Sequence, residues 1–349
     1  MPGAGLRERL GQGPVLCAEG YLFALEARGY LQAGAFVPEV VLEHPEVVAQ
    51  LHREFARAGS DVVQAFTYYA HREKLRLIGR EGDLEPINRQ ALELARAVAA
   101  EHGGLVAGNV CNTNVYDPVD PATHAEVRAM FAEQIGWAVD EGAEMLICET
   151  FGFTGEALIA LDVAKATGLP TVVTMAQHAS ERTRDGEAIE VACKTLADAG
   201  ADVVGLNCAR GPWTMLPLLE RIRAQVPGPL AALPVPYRTT PAEPAFQTLS
   251  DPETCCPAPH GRPFPTALDA KRCTRYEMAE FARRAQALGI DYIGICCGAE
   301  PHHVRAMAEA LGRTTAASRY SPDMSKHYAL GDDATVKAQN RRFAATYSA

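Results

Sequence analysis

The chain has 349 residues, 48% hydrophobic and 22% charged, with a formal net charge of −10. That balance belongs to a folded globular protein with a large core, and the acidic excess argues against nucleic acid or an anionic membrane surface as a general partner. Ten cysteines are too sparse for a disulfide scaffold, no run approaches about 18 apolar residues, and residues 1–12 lack an apolar stretch of signal-peptide length; the expectation is a cytoplasmic protein with no membrane span and with reduced thiols available to metal.

Eight short apolar runs follow one another at 14–19, 61–66, 105–110, 144–149, 171–176, 202–207, 230–235 and 291–296, each bounded by turn residues. Several are continuous rather than alternating, as strands buried on both faces are. Helical patterns lie between them at 45–58, 88–101, 126–141, 155–167, 187–199, 215–225, 276–288 and 302–311. The first of these places Val47, Val48, Leu51 and Phe55 on one face. A weak repeat, Ala58-Gly59-Ser60-Asp61, Glu141-Gly142-Ala143-Glu144, Ala199-Gly200-Ala201-Asp202 and Leu288-Gly289-Ile290-Asp291, closes a helix on glycine and opens a strand. Eight strands alternating with helices predict an α/β fold, a (β/α)8 TIM barrel; an open doubly wound sheet is the alternative that strand counting leaves standing. No GxGxxG or GxxxxGK loop follows a strand, so nucleotide cofactors lose support.

Two stretches break the rhythm. Residues 237–271 are Pro-rich and form an elaborated loop before the last strand, expected over the C-terminal strand ends where barrel enzymes build their sites. Residues 312–349 are polar and make a short C-terminal extension that packs on the barrel, lies at a subunit interface or stays partly mobile. The expected division is a catalytic barrel over 1–311 and an extension over 312–349.

The chemistry concentrates in cysteines at strand ends. Cys296-Cys297 ends the eighth run and Cys208 the sixth, and parallel barrel strands would bring these thiols to one rim. Three thiolates with one open position suit a catalytic zinc better than a closed structural site. Adjacent residues of a strand point to opposite faces, so one ion on both Cys296 and Cys297 requires a turn, which Gly298 allows. The competing reading is that free cysteines are small buried hydrophobes. Cys255-Cys256 is a rival pair in a loop without rigid support, while Cys17, Cys111, Cys148, Cys193 and Cys273 read as packing residues, the second and third of them near strand ends.

Glu19 and Glu149 end the first and fourth runs, and a carboxylate at the C-terminal end of an apolar barrel strand is a site candidate or else a solvated loop residue. Tyr21, Phe23, Phe36, Phe66, Tyr68 and Tyr69 crowd the loops after the first two strands. Such aromatics are core, lid, or a cage for a cationic group through cation–π attraction. Zinc thiolates, a rim carboxylate and an aromatic cage together suggest alignment of a substrate thiol with the methyl group of an onium donor.

The segments Leu22-Phe23-Ala24-Leu25-Glu26, His44-Pro45-Glu46, Leu51-His52-Arg53-Glu54-Phe55, Gln64-Ala65-Phe66-Thr67-Tyr68-Tyr69, Gly205-Leu206-Asn207-Cys208 and Gly294-Ile295-Cys296-Cys297-Gly298 resemble betaine–homocysteine S-methyltransferases, pterin-independent members of the homocysteine S-methyltransferase family. The resemblance covers about residues 10–311. It implies a zinc barrel with Cys208, Cys296 and Cys297 as ligands, Glu149 on the amino group of homocysteine, and Tyr69 on the carboxylate of betaine. It implies substrate contacts at Glu19, Gly20, Tyr21, Phe36, Ala65, Tyr68, Tyr69 and Glu149, of which Glu149 and Tyr69 carry catalysis, with a small-molecule thiol acceptor and an onium methyl donor as partners. The chain departs from the family pattern at several of these positions. Ala18 stands where the family has aspartate, with Glu19 next to it as the replacement; Ala65 replaces threonine, Phe36 tryptophan, Tyr21 and Tyr68 phenylalanines, and Ile295 glycine. S-Methylmethionine, a sulfonium acid or another quaternary amine are the alternative donors, and a non-catalytic onium- or thiol-binding barrel, or a metal-independent lyase with Glu149 as base, the alternative activities. The family's long C-terminal arm is mostly absent, although Met324-Ser325-Lys326 is similar to its final part, so homo-oligomerisation stays open.

Overall fold

In the computed structural model, which describes residues 4–252, 258, 261–344 and 346, each of the eight apolar runs coincides with a parallel strand, the third and fourth strands running one and two residues further. These are β1 (Val15–Ala18), β2 (Val62–Gln64), β3 (Leu105–Cys111), β4 (Met145–Phe151), β5 (Thr171–Met175), β6 (Val203–Asn207), β7 (Leu230–Leu233) and β8 (Tyr292–Ile295). They pair in chain order, and β8 closes on β1 with Cys17 opposite Gly294 and Ala18 opposite Ile295. Closure rules out the open doubly wound sheet. β2 is shorter than the run 61–66 because the chain turns at Ala65, whose carbonyl accepts from Thr67 N–H at 2.8 Å.

The helices that follow the strands are Pro45–Ala58, Leu84–His102, Pro121–Asp140, Thr154–Lys165, Ile189–Asp198, Pro212–Gln225, Arg275–Ala287 and Pro301–Ala310. Pro45, Pro121, Pro212 and Pro301 sit in the first turn, where a missing N–H costs nothing. No described helix is long and apolar enough to cross a membrane.

Two cores share the strands. The outer one packs alternate strand residues such as Leu16, Val63, Leu146, Val173 and Val204 against the helices. The inner one fills the barrel with Val15, Cys17, Val62, Leu105, Ala107, Met145, Ile147, Val172, Val203, Ala231, Leu233 and Tyr292, and Leu6 closes it from below. Strand side chains alternate, so the next inward positions up the barrel are Glu19, Gln64, Asn109, Glu149, Thr174, Asn207 and Cys296. The barrel interior is therefore apolar at its base and polar at its C-terminal rim.

The long connection after β7 returns over that rim, held by an antiparallel bridge between Tyr237 and Arg272. Cys255 and Cys256 lie outside the described residues. The extension starts against the helix Pro45–Ala58: Arg313 pairs with Asp61 at 2.6 Å and Ala317 N–H donates to Arg57 O at 3.1 Å. Its last described helix is Ala338–Ala344.

Candidate metal centre and active site

Cys208 follows directly on β6, and Cys296 and Cys297 on β8. The chain leaves β8 in a turn at Cys297-Gly298, with Gly298 at φ +91°. A Cβ on Gly298 would also collide with the Tyr237 hydroxyl, so glycine is required there for both conformation and space. Cys208 and Ala209 adopt φ +57° and +54°, which costs non-glycine residues roughly 1–3 kcal/mol each. The loop beyond is held by buried Arg210, whose guanidinium donates to the carbonyls of Gln177 and Ala179 at 3.1 and 3.3 Å. The result is that Cys297 Sγ lies 3.8 Å from Cys208 Sγ and 3.9 Å from Cys296 Sγ, with all three sulfurs within 4.8 Å of one another. A tetrahedral zinc with bonds of about 2.3 Å needs sulfurs roughly 3.8 Å apart, so the trio fits such an ion. Without metal, hydrogen bonds from Cys296 and Cys297 hold the Cys208 thiol well below its ordinary range, and both donors are raised in turn.

Beneath the thiols the polar rim forms one network. Glu149 accepts from Gln64 Nε2 at 2.6 Å, Asn109 Nδ2 at 2.7 Å, Asn207 Nδ2 at 2.7 Å and Thr150 Oγ1 at 3.0 Å, which fills a carboxylate's four lone-pair positions. Burial nevertheless pushes its carboxyl up to about 7, the hydrogen bonds pulling the other way. Burial and the nearby Glu149 charge raise Glu19 well above the carboxylate range. Glu19 Oε2 receives only a long contact from Asn207 Nδ2 at 3.4 Å, and Glu19 Oε1, Gln64 Oε1 and Asn109 Oδ1 are buried without a partner. Three orphaned acceptors beside two carboxylates make a site that calls for a donor such as an ammonium group. The pocket that Glu19, Gln64 and Glu149 share with Tyr21, Phe66, Tyr68 and the three cysteines has a volume of only about 10 Å³, room for roughly one water.

Above the thiols a larger cavity of about 390 Å³ opens, in the size range of small-molecule pockets. Phe23 meets Phe36, Phe246 and Phe264 edge-on at centroid distances of 5.8, 5.8 and 6.3 Å, and these rings pack beside Cys208 and Cys297. Tyr68 and Tyr69 add a pair at 4.3 Å. Behind Tyr69 the Lys74 ammonium lies 3.9 Å from the ring centroid, and Tyr69 N–H donates to Cys111 Sγ at 3.3 Å. Phe36, Tyr69, Asn114, Thr150, Cys208 and Ala209, every non-glycine residue with positive φ among those described, line this one cavity. Strained backbone that gathers at one place marks a site whose geometry the surrounding fold imposes.

The structure thus brings Glu19, Tyr21, Tyr68, Glu149 and the three cysteines to the inner pocket, and Phe36, Tyr68, Tyr69, Cys208 and Cys297 to the outer cavity. Tyr21 is buried with its hydroxyl 3.1 Å from His52 Nδ1 and its ring against Phe55 and Phe66, away from the outer cavity. Gly20 and Ala65 line neither space: Gly20 is where a Cβ would collide with Ala299, and Ala65 is fully buried in the outer core. Gln64, Asn109 and Asn207 were not singled out from the sequence as site residues, although their inward register on β2, β3 and β6 carries the signal. Phe246, Phe264, His178 and Arg184 come from loops and had no such signal.

Residues 20–311 match the family model described as homocysteine S-methyltransferase. The chain is 40% identical over 330 residues to betaine–homocysteine S-methyltransferase 1 of Danio rerio, covering 93% of this chain and 79% of that protein. It is 37% identical over 319 residues to S-methylmethionine–homocysteine S-methyltransferase BHMT2 of Pongo abelii, covering 89% and 82%. Among solved structures, the metallated form of the Escherichia coli homocysteine methyltransferase MmuM shares the fold, with a TM-score of 0.67 and 21% identity over 87% of this chain and 99% of that one.

Proposed function

The chain belongs to the homocysteine S-methyltransferase family, and from that premise we propose that it transfers a methyl group from an onium donor, most directly betaine, to the thiol of homocysteine, giving methionine. The observation that carries this reading is the three-thiol set at tetrahedral spacing, standing between an acceptor-rich pocket and an aromatic cavity.

Cys208, Cys296 and Cys297 would hold zinc. Bound there, zinc supplies a Lewis acid that keeps a substrate thiol deprotonated near neutral pH. The protein's own part is alignment. Glu19 Oε1, Gln64 Oε1 and Asn109 Oδ1 receive the ammonium group of homocysteine, and Glu149 takes a share when one of its amide donors yields. A pocket of about 10 Å³ is too small for an amino acid, so acceptor binding must widen this end of the barrel. On the other side Phe23, Phe36, Tyr68, Phe246 and Phe264 surround the onium, stabilising its charge while excluding water. Burial keeps the Tyr69 phenol protonated, pushed up to about 12, so it donates to the donor's carboxylate. The sulfur lone pair attacks the methyl carbon in line with the carbon–nitrogen bond. That bond breaks, its electron pair leaves with nitrogen, and with betaine the product is neutral at the amine, as dimethylglycine. No proton moves in this step, so no side chain serves as acid or base.

S-Methylmethionine is the second donor to consider, supported by the similarity to an enzyme named for it and by a cavity larger than betaine needs. We further propose a cytoplasmic setting, where reduced cysteines remain ligands, and a division into barrel 1–311 and extension 312–349. The exposed Tyr320, Met324, Tyr328 and Leu330 support a homo-oligomeric contact through the extension, to be read by light scattering of full-length and 1–311 protein. The test of the activity is metal content together with methionine formation over a panel of onium donors. One zinc per chain with turnover is expected; a reduced, pure protein that binds no zinc would sink the reading.

A further inference from the structure

The outer cavity has a second wall that onium recognition does not use. Tyr116, Phe153 and Arg184 form it, with Tyr116 5.3 Å from Phe153 between ring centroids and the Arg184 guanidinium carbon 5.6 Å from the Phe153 centroid. Two glycines make room for it. A Cβ on Gly152 would press on Arg184 Cδ at 3.0 Å, and one on Gly155 would collide with the Tyr116 hydroxyl. The segment that carries Arg184 is tied to the one that carries Phe153: Arg184 N–H donates to Gly152 O at 2.7 Å, and Asp185 accepts from Thr154 and Gly155 N–H at 3.1 and 3.0 Å.

Arg184 is the one arginine or lysine among the described residues lining the cavity, and it has no carboxylate within ion-pair distance among them. Two acids lie near it. Glu156 lines the same cavity; burial raises its carboxyl while hydrogen bonds to Oε1 from Thr113 N–H and Oγ1–H, at 2.7 and 2.6 Å, and the Arg184 charge pull it down. Asp185 faces the helix start. An exposed guanidinium over an aromatic ring, in no ion pair among the described residues, can receive a carboxylate. The cavity therefore has aromatic rings beside the thiols and an exposed cation on another wall, a pattern complementary to a zwitterion. Its volume of about 390 Å³ leaves space for more than a short donor.

We infer that Arg184 is the anchor of an anion subsite that takes the carboxylate of an extended onium carboxylate, one with several bonds between the methylated centre and the acid. Arg184 is thus a donor-specificity residue, acting at the end of the donor remote from the transferred methyl. The inference rests on the methyl-transfer reading for the meaning of the ligand, but its binding test does not need turnover.

The experiment measures calorimetric Kd values for γ-trimethylammoniobutyrate, betaine and carboxylate-free tetramethylammonium on full-length protein, wild type, Arg184→Gln and Arg184→Lys. Steady-state constants for S-methylmethionine and homocysteine are measured alongside. Because the guanidinium is partly solvated, the expected loss is moderate: Arg184→Gln weakens γ-trimethylammoniobutyrate roughly tenfold and raises the S-methylmethionine KM similarly. Tetramethylammonium binding and the homocysteine KM stay within about twofold, and Arg184→Lys recovers most of the loss. An equal loss for tetramethylammonium, no loss for the onium carboxylates, a shift confined to homocysteine, or a wild type that binds no onium carboxylate each overturns the subsite. Wild-type binding without methionine formation from any donor would instead count against the methyl-transfer reading, while the Arg184 comparison is still decided by calorimetry.

Discussion

The two spaces on either side of the cysteines are built by different means. The polar floor of the inner pocket is set by the barrel: Gln64 and Glu149 occupy inward strand positions and Glu19 the next inward position after β1, with Asn109 and Asn207 behind them, and the pocket leaves room for roughly one water. The outer cavity is made mostly by loops, which contribute Phe36, Tyr69, Asn114 and Ala209 in left-handed conformations around about 390 Å³, joined by Thr150 near the end of β4. Strand register cannot change without turning every side chain to the other face, whereas a loop residue can be replaced alone. The chemistry that every member of such a family must share belongs on the strands, and the choice of donor on the loops.

The thiols join the two spaces, so their loss should abolish function from both sides. Cys296→Ala is expected to lower metal content from one per chain to near zero and turnover by on the order of a thousandfold or more, since a bound Lewis acid supplies several kcal/mol. Metal analysis and methionine formation read it, and full zinc occupancy in Cys296→Ala would move the ligand set elsewhere.

Each space is also backed by a buried neutral histidine, which acid should reveal. His52 stands behind Tyr21 in the inner pocket and His71 behind Tyr69 in the outer cavity, at a ring distance of 5.8 Å. Burial lowers them to about 3 and about 4. Below an unfolded-chain value near 6.5 the unfolded state takes up protons first, so stability is full above that pH and falls as the pH drops toward 4. Each histidine contributes at most about 2 kcal/mol of this loss at pH 5. Denaturant titrations of apo protein at pH 7 and 5, with His52→Gln and His71→Gln, check it; unchanged acid sensitivity in both variants would mean other groups drive the loss.

Removing the free carboxylate of the inner pocket should touch one substrate only. Glu19→Ala is expected to raise the homocysteine KM about 10- to 100-fold, the loss of a hydrogen bond to the charged ammonium group, with the donor KM unchanged. An unchanged homocysteine KM would leave the orphaned Glu19 oxygen without a role in acceptor binding.

How much of this was readable in advance follows the same division. The barrel was legible because eight apolar runs, several of them continuous, and glycine-closed helices leave few topologies, and Cys296-Cys297 stood out as a pair of thiols at a strand end. Gln64, Asn109 and Asn207 were readable in principle, each lying on its strand's inward register above Val62, Ala107 and Val203, but amides attract less attention than thiols and carboxylates. Phe246, Phe264 and Arg184 were not readable. Their positions depend on where loops return, as through the Tyr237–Arg272 bridge and the Asp185 cap, and those contacts join residues with no periodic relation.

The smallest effect should come from the hydroxyl of Tyr69, and it tests whether the two spaces act separately. Tyr69→Phe keeps the ring, so the stack on Tyr68 and the Lys74 contact behind it survive, and the strained backbone at φ +63° is unaltered in its demands. Only the hydroxyl is lost. If it donates to the donor's carboxylate, the betaine KM rises roughly three- to tenfold, about 1 kcal/mol, while the KM for homocysteine holds. Tetramethylammonium, which has no carboxylate, should bind both forms alike. A rise on the homocysteine side would mean that the loop-built cavity also positions the acceptor, and that the separation of chemistry on strands from choice on loops fails beside Tyr68, which lines both spaces.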